Sequence, residues 1–255
     1  MGCARRLGGV STTMPLPRSA EFALWYSAWA SGAVSPDDAR DAIIGADAAH
    51  DIAGLPDEVD VVPLILAFAR FRSARAAAAG LALPVPGDPL GLAGPGEFNA
   101  DAIEAGEGVV FDGAEIGLVP HRVGAGVVWQ CYQAVSRRQV PDPSEADTSL
   151  REAVLAAANT LADLDVARWQ PEVADALMEL RGRADLNLPR GMAPRTLRLA
   201  SLAARCRTIV DLALEYDGSA ITSREVDERR EALSPLDHAA RRGLVAVCSH
   251  PWDER

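Results

Sequence analysis

Aromatic residues are scarce in this sequence. They make up only 5% of the chain, although 49% of all residues are hydrophobic. The apolar remainder is mostly alanine, leucine and valine, a composition that favours closely packed helices over an aromatic-rich β-sandwich. With 255 residues, the chain is long enough to bury a core without disulfides or a structural metal. We therefore expect a protein in which helix dominates.

Positive charge is scarce as well. The chain has 25 basic residues, all arginine, against 36 acidic ones, which gives a formal net charge of −11 and an isoelectric point near 4.8. The arginines occur among acids at spacings that are typical of solvated helix faces. Proteins that bind nucleic acid or anionic membranes need clustered basic residues to replace counterions. The composition therefore argues against both as partners.

Paired cysteines and long apolar runs are missing too. Cys3, Cys131, Cys206 and Cys248 are far apart and form no CxxC pair, so neither a disulfide framework nor a zinc knuckle is indicated. No apolar run reaches the length of a membrane span, and no apolar segment of a secretory signal follows the first arginines. We expect a cytoplasmic protein with no bound metal and no cofactor.

Apolar periodicity and capping residues predict α+β architecture. The pattern is predominantly helical, with a small central antiparallel or mixed sheet of about four short strands and a C-terminal bundle of about five helices. The predicted N-terminal helices cover residues 19–33, 35–45 and 62–80, with a linker at 50–56. The predicted strands cover residues 81–85, 109–111, 116–119 and 127–132. The C-terminal helices are expected to begin near residues 142, 170, 194, 222 and 234.

Domain boundaries follow from the same pattern. We expect residues 1–18 to be disordered, with translation beginning at either Met1 or Met14, and residues 19–255 to form a single α+β domain. The linker at 136–143 is the best candidate for a sub-boundary. It would separate helices and a small sheet at 19–135 from the helical bundle at 144–250.

A passage dense in proline and glycine, residues 81–99, leads into the predicted sheet. Proline fixes φ and glycine supplies conformations that other residues avoid, so a single shape is expected. The glycine spacing fits neither phosphate-binding pattern, and no lysine is present. Asp88 lies between glycine and proline, where an acid finds no nearby helix cap. Phe98 follows as a second contact point, and Asn99 is expected to cap a short helix that ends at Gly106.

Two further polar residues are candidates for a ligand pocket. His121 follows a predicted strand, and Glu107 precedes one. A histidine held by a carboxylate in a cleft can perform acid–base chemistry, although a surface histidine is the simpler interpretation. Near the C-terminus, Cys248, His250 and His238 are capable of binding metal, but their spacing matches no zinc template. No serine-hydrolase elbow or metalloprotease motif is present.

Several of these segments resemble a family of hypothetical proteins encoded in high-GC actinobacteria. The resemblance rests on residues 83–95, on Phe98 and Asn99, on residues 105–107 and on residues 117–120. It extends over most of the chain, including the tryptophan-bearing first helix and the last helices. The resemblance implies a cytosolic housekeeping or regulatory role, carries no known activity, and transfers no catalytic residue.

The function itself is not specified by any motif, and whether the chain is an enzyme is left open. One hypothesis is a non-enzymatic binding or adaptor protein whose partner surface includes the loop at residues 84–99. The alternative is an enzyme that acts on a small polar or cationic metabolite, with Asp88, Glu107 and His121 converging on one pocket. The partner is thus either an unknown protein or a small molecule, and the oligomeric state is unknown. The two hypotheses differ in whether these residues share one concave site.

Overall fold

The computed structural model describes residues 14–135, 139–163, 186–215 and 223–249. The helices in these ranges are α1 (Arg18–Ala30), α2 (Pro36–Ile44), α3 (Leu64–Ser73), α4 (Gly96–Ala105), α5 (Pro143–Asp163), α6 (Pro194–Glu215) and α7 (Ser223–Ser249). The strands are β1 (His50–Ala53), β2 (Val62–Pro63), β3 (Ala78–Ala82), β4 (Gly108–Asp112), β5 (Ile116–Val123) and β6 (Gly126–Gln133). The architecture is α+β, as predicted.

The strands form one mixed sheet in the order β2-β1-β6-β5-β4-β3. Strand β1 runs parallel to β6, and all other neighbours are antiparallel. The prediction of about four strands was too low, because β1 and β2 fall in a segment that was assigned to a linker and a helix start. Strands of four and two residues are too short to carry a clear period in the sequence, and the buried positions of β1 are His50 and Ile52. Strand β1 forms by pairing with the distant strand β6, and β2 forms by pairing with β1, so neither pairing is visible in the local sequence.

The helix predicted through residue 80 ends earlier. Helix α3 stops at Ser73, Arg75 adopts a positive φ of 64°, and the alanine run that follows becomes β3. Alanine favours helix in isolation, but here the segment pairs with β4 across five residues, and tertiary pairing overrides local propensity. Short turns after Asp112 and after Val123 join β4, β5 and β6 into an antiparallel meander.

Most of the predicted helix starts and ends agree with the structure, and two do not. Ser35 caps α2 by accepting the amide of Asp38 at 3.0 Å, as expected. Asn99 does not cap α4, which begins at Gly96 with Pro95 as its N-cap residue. The two C-terminal helices expected on either side of residue 234 are one continuous helix, α7, which accommodates Pro235. The helix predicted to begin near residue 170 lies outside the described residues, and three helices form the described part of the predicted five-helix bundle.

The N-terminal segment is ordered closer to the start of the chain than predicted. Met14 and Leu16 are 4% and 7% exposed and belong to the main core. The prediction of disorder through residue 18 therefore extends too far, while residues 1–13 lie outside the described residues. Burial of these two side chains anchors the segment that leads into α1.

Most aromatic residues of the described chain form one cluster beneath the sheet. Phe22 of α1 lies at its centre, with its ring centroid 4.8 Å from that of Trp129 and 6.0 Å from those of Tyr26 and Phe111. Edge-to-face contacts with Phe68 and Phe71 of α3 complete the arrangement. Helices α1 and α3 are therefore fastened to β4 and β6 by aromatic packing.

The two faces of the sheet are covered differently. The main core lies on the face that packs against α1, α3 and α7, with α5 and α6 beyond α7. On the opposite face, α4 covers a smaller apolar cluster. Its buried members are Ala82, Leu92, Phe98, Ala102, Val110, Val119 and Ala134. Position 117 must be glycine, because a Cβ there would lie 2.7 Å from the Phe98 ring.

The outer edge of β3 is closed by side chains. The hydroxyl of Ser27 in α1 accepts the amide of Ala79 at 3.0 Å and donates to the carbonyl of the same residue at 3.1 Å. Ser249 of α7 makes the same pair of bonds with Leu81, at 3.1 and 3.4 Å. An unpaired strand edge invites association with other chains, and buried backbone groups need partners. Two serines here replace a neighbouring strand.

We expect Ser27→Ala to lower the free energy of unfolding by about 1–3 kcal/mol, because both backbone groups of Ala79 lose their partner in a buried position. Urea titration monitored by circular dichroism measures the change. Ser31→Ala is the matched control, since the Ser31 hydroxyl donates to a carbonyl at the exposed end of the same helix, and a change below about 0.5 kcal/mol is expected. Equal losses in the two variants would contradict edge closure by Ser27.

Candidate functional site

The loop of residues 84–99, called here the proline loop, is fastened to α7 by a buried arginine. The side chain of Arg241 is 6% exposed, and its Nη1 donates to Asp88 Oδ2 and to the Leu83 carbonyl oxygen, each at 2.9 Å. Its Nε donates to Asp237 Oδ2 at 2.8 Å within the same helix. The guanidinium thus joins the start of the loop, the tip of the loop and α7. Charge-assisted bonds of this kind fix geometry as well as adding stability.

Asp88 has a second partner on α7. His238 Nδ1 lies 3.1 Å from Asp88 Oδ2, and the His238 side chain is half exposed. The sequence placed Asp88 on a loop without a nearby cap, and it also grouped His238 with possible metal ligands. Neither interpretation indicated that the two side chains pair across 150 residues. The Asp88 carboxylate is therefore bound to two residues of α7, Arg241 and His238.

Hydrogen bonds within the loop reinforce this clamp. Val85 and Asp88 exchange both of their backbone bonds, at 3.0 and 2.9 Å, and the Leu83 amide donates to the Leu90 carbonyl at 3.1 Å. Leu90 and Leu92 are buried. Gly91 has a φ of +85°, and a Cβ at this position would lie 2.7 Å from backbone atoms of the strand beneath. The inner side of the loop therefore has one shape, set by backbone bonds and close packing.

The outer side of the proline loop faces solvent. Small and cyclic residues are exposed along it, with leucines beneath. The exposed residues are Pro86, Gly87, Pro89, Ala93, Pro95, Gly96 and Glu97. The two predicted contact residues at its end face inward or are half-buried. Phe98 is 0% exposed and packs near Tyr132, and Asn99 Oδ1 accepts the Gly94 amide at 3.0 Å. Phe98 is therefore no contact point for a partner in this conformation.

Glu107 serves the first turn of α1. Its Oε2 accepts the backbone amide of Ser19 at 2.7 Å, one of the amides that a helix start leaves without an internal partner. Loss of solvent raises the pKa of Glu107, and the bond from Ser19 offsets part of this effect. Burial likewise raises the pKa of Glu21 to about 7, against a lowering influence of Arg18. The Glu107 carboxylate thus caps the start of α1 rather than facing an open pocket.

His50 lies near the start of α1, and both of its ring nitrogens have hydrogen-bond partners. Trp129 Nε1 donates to His50 Nδ1 at 3.2 Å, so the imidazole proton is on Nε2, which donates to Asp47 Oδ2 at 3.2 Å. Asp47 also pairs with Arg18 at 2.7 Å, a bond that lowers the pKa of Asp47 to about 2. His50 is 2% exposed, and burial lowers its pKa. Because tryptophan can only donate, the site holds the neutral imidazole.

We expect the stability contributed by His50 to fall as the pH drops below the ordinary histidine pKa of 6.5, because the unfolded chain then binds a proton that the folded chain excludes. The raised pKa of Glu21 acts with the opposite sign between pH 4.5 and about 7. The contribution of His50 is therefore measured as the difference in the free energy of unfolding between the wild type and His50→Gln at each pH. Between about pH 7.5 and 5.5 the wild type should lose more unfolding free energy than the variant. An unchanged difference would contradict a depressed His50 pKa.

His121 pairs with a carboxylate, though not with one named from the sequence. Its Nε2 lies 2.9 Å from Asp101 Oδ2 on α4, and its side chain is 43% exposed. Tyr132 lies beside this pair. Burial is the main cause that raises the pKa of its phenol to about 12, and the Asp101 carboxylate raises this pKa further. Asp101 was not identified because nothing in the sequence places α4 over β5.

The five predicted site residues do not converge. Val109 packs in the main core and Val119 in the cluster under α4, so strand alternation places Glu107 and His121 on opposite faces of the sheet. Asp88 is bonded to α7 on the main-core side. Phe98 and Asn99 lie at the start of α4. The structure therefore gives these residues separate partners.

A cavity of about 900 Å³ lies elsewhere, and none of the five residues lines it. Its described walls come from α1, the start of β3, the first turns of α5 and α6, and the last turns of α7. Sequence patterns did not indicate this cavity, because it forms between helix ends that are far apart along the chain. Its volume lies in the range of small-molecule sites.

The described residues contain no group of three or more side chains that could hold a metal ion. Cys131, Cys206 and Cys248 are free and buried, and burial raises the pKa of Cys131 and of Cys206 to about 11. Cys206 of α6 packs in the main core. None of the helices in the described ranges combines the length and hydropathy needed to cross a bilayer.

These features define an α+β protein with a mixed six-stranded sheet, a clamped proline loop at one edge and a helical layer on one face. Models of a two-part family match almost the whole described chain. The N-terminal domain of Rv1486c-like proteins matches residues 19–146, and the C-terminal domain matches residues 144–245. The chain therefore belongs to the Rv1486c-like protein family.

Two curated relatives come from Mycobacterium tuberculosis. They carry the names uncharacterized protein Rv1486c, in strain ATCC 25618 / H37Rv, and uncharacterized protein MT1533, in strain CDC 1551 / Oshkosh. Each is 26% identical to this chain over 284 residues, which span 92% of this chain and 99% of the relative. No solved structure matches the chain. The resemblance to an uncharacterised actinobacterial family is confirmed.

Proposed function

We propose that this chain is a non-enzymatic binding protein whose partner surface is the outer side of the proline loop. The observation that carries the proposal is the contrast between the two sides of the loop. Arg241 and backbone bonds hold the inner side, while prolines and an alanine face solvent. A surface that is already ordered loses little conformational entropy when a partner binds.

The chemistry of the exposed side favours a protein partner. Its prolines and Ala93 offer apolar contact area, and Glu97 supplies a negative charge at one end. Proline lacks a backbone donor, so the surface presents shape and apolar area more than hydrogen bonds. The acid and histidine pocket of the alternative hypothesis is not proposed, since Glu107 and His121 face opposite sides of the sheet.

Paired surface variants test the proposal. Pro89→Arg and Ala93→Arg place a bulky charge on the outer side of the loop without touching the clamp. Val59→Arg is the matched control, because Val59 is fully exposed in a different loop. Tagged proteins are used to isolate partners from an actinobacterial lysate. A partner that the wild type and Val59→Arg retain, and that both loop variants lose, supports the proposal. Retention by all four proteins overturns it.

We further propose that the described segments fold as one unit in the cytoplasm. Residues from both sides of the linker at 136–143 pack in one cluster, including Phe22 and Leu81 from one side and Leu150 and Leu244 from the other. A single shared core favours one cooperative domain over two. Free buried thiols fit a reducing compartment.

A further inference from the structure

The cavity between the helix ends differs chemically from the rest of this acidic protein. Its floor is apolar, with Leu24 of α1, Leu199 of α6 and Val247 of α7 among the residues that line it. Polar and charged side chains line the part formed by α5 and α6. A concave site with an apolar body and a small number of polar groups is the usual form of a small-molecule pocket.

The acids in the wall of the cavity are already engaged. Asp142 Oδ1 accepts the backbone amides of Ser144 and Glu145 at 2.8 and 3.1 Å, so this carboxylate caps α5. Asp147 pairs with Arg151 one helical turn away, at 2.9 and 3.1 Å. Both negative charges therefore have partners within α5.

The arginines outnumber these acids. Arg151, Arg195 and Arg198 line the cavity with Asp142 and Asp147, so the described walls carry three positive and two negative formal charges. The whole chain has a net charge of −11. Arg198 is exposed on α6, and no hydrogen bond or ion pair joins its side chain to another described residue. Its guanidinium is a planar donor suited to carboxylate or phosphate oxygens.

The start of α6 adds to this positive character. Thr196 and Arg195, in the first turn of the helix, line the cavity, and the amides of a first turn carry partial positive charge. The helix end is not the basis of the site by itself. It coincides with the arginines, the apolar floor and a concave volume of about 900 Å³.

We propose that this cavity binds an amphipathic anion, with a carboxylate, sulfonate or phosphate group held by Arg198 and an apolar body against Leu24 and Val247. The site is separate from the proline loop, and the proposal stands whether or not the loop binds a protein. Neutral and cationic amphiphiles of the same size lack the group that Arg198 would hold, so they should bind more weakly.

The probe is 8-anilinonaphthalene-1-sulfonate, an amphipathic anion whose fluorescence rises on transfer from water. Wild-type protein should show saturable binding. Arg198→Glu should raise the dissociation constant about tenfold or more, because a charge-assisted bond is replaced by repulsion. Arg122→Glu makes the same charge change on an exposed part of β5 away from the cavity, and it should alter the constant by less than about twofold.

Two further measurements separate the cavity from general surface binding. Ala78→Phe places an aromatic ring in the cavity wall at a strand position, and it should also weaken binding of the probe. Dodecanoate should displace the probe, and dodecyltrimethylammonium at the same concentration should not. Circular dichroism and cooperative urea unfolding establish that each variant is folded. Arg198→Glu changes an exposed residue, so it keeps the test informative if Ala78→Phe does not fold.

Three outcomes would overturn the proposal. They are the absence of saturable probe binding by folded wild-type protein, equal weakening by Arg198→Glu and Arg122→Glu, and equal displacement by the anionic and the cationic amphiphile. Loss of binding in Arg198→Glu alone, together with displacement by dodecanoate alone, supports it.

Discussion

Replacing Arg241 with methionine is expected to lower the free energy of unfolding by about 3 kcal/mol. The substitution keeps most of the buried volume but removes the cation between Asp88 and Asp237, and it leaves the Leu83 carbonyl without this donor. Breaking a buried pair by removing one partner costs about 3–5 kcal/mol. The lower end applies here, because the two carboxylates are 30% and 26% exposed and can be partly rehydrated.

The effect should also be local to the proline loop. The amides of Val85, Asp88 and Leu92 donate within the loop, and their hydrogen exchange should speed up in Arg241→Met. Arg242→Met is the matched control, because it removes the same charge from the next residue of α7 at a position that is only half-buried. Its expected cost is below about 0.5 kcal/mol. Equal costs for the two variants, or unchanged loop exchange, would show that Arg241 does not clamp the loop.

Phe22→Ala should have the largest effect on the fold, a loss of about 4 kcal/mol in the free energy of unfolding. Phe22 is 0% exposed, and its ring meets those of β4, β6 and α3. Removal of the ring leaves a cavity where α1, α3, β4 and β6 meet, and the surrounding aromatic rings cannot all move into it. Aromatic pair contacts are lost in addition to the buried area.

Urea unfolding measured by tryptophan fluorescence and by circular dichroism gives this value. Leu66→Ala is the control, because Leu66 is 60% exposed on α3 and its truncation should cost less than about 0.5 kcal/mol. A loss below about 2 kcal/mol for Phe22→Ala would contradict the central place of this ring.

Local signals were sufficient for much of the fold. The Ser35 cap, the glycine stop at Gly106 and the Asp112 turn each depend on residues within a few positions, and all three are present. Long apolar stripes likewise predicted α1 and α6. The strands β1 and β2 could not be predicted in this way, because β1 pairs with a strand more than 70 residues away and β2 pairs only with β1.

The candidate site illustrates the same limit. Asp88 was identified from its place between glycine and proline, but its partner Arg241 is 153 residues away. The spacing of Arg241 among acids predicted a solvated helix face. The structure instead buries its guanidinium, which binds both Asp88 and Asp237. Phe98 was predicted to be a contact point for a partner, but it is buried under α4. Nothing in its neighbouring residues indicates that α4 turns this ring inward.

Photo-crosslinking from the proline loop tests the proposed binding function most directly. A benzophenone amino acid at position 93 lies on the exposed side of the clamped loop, and the same residue at position 59 lies on an exposed loop elsewhere. In living actinobacterial cells, position 93 should form a discrete crosslink to one protein, position 59 should not, and Arg241→Met should weaken the crosslink. The same pattern of products from both positions, or none from position 93, would contradict a partner surface on this loop.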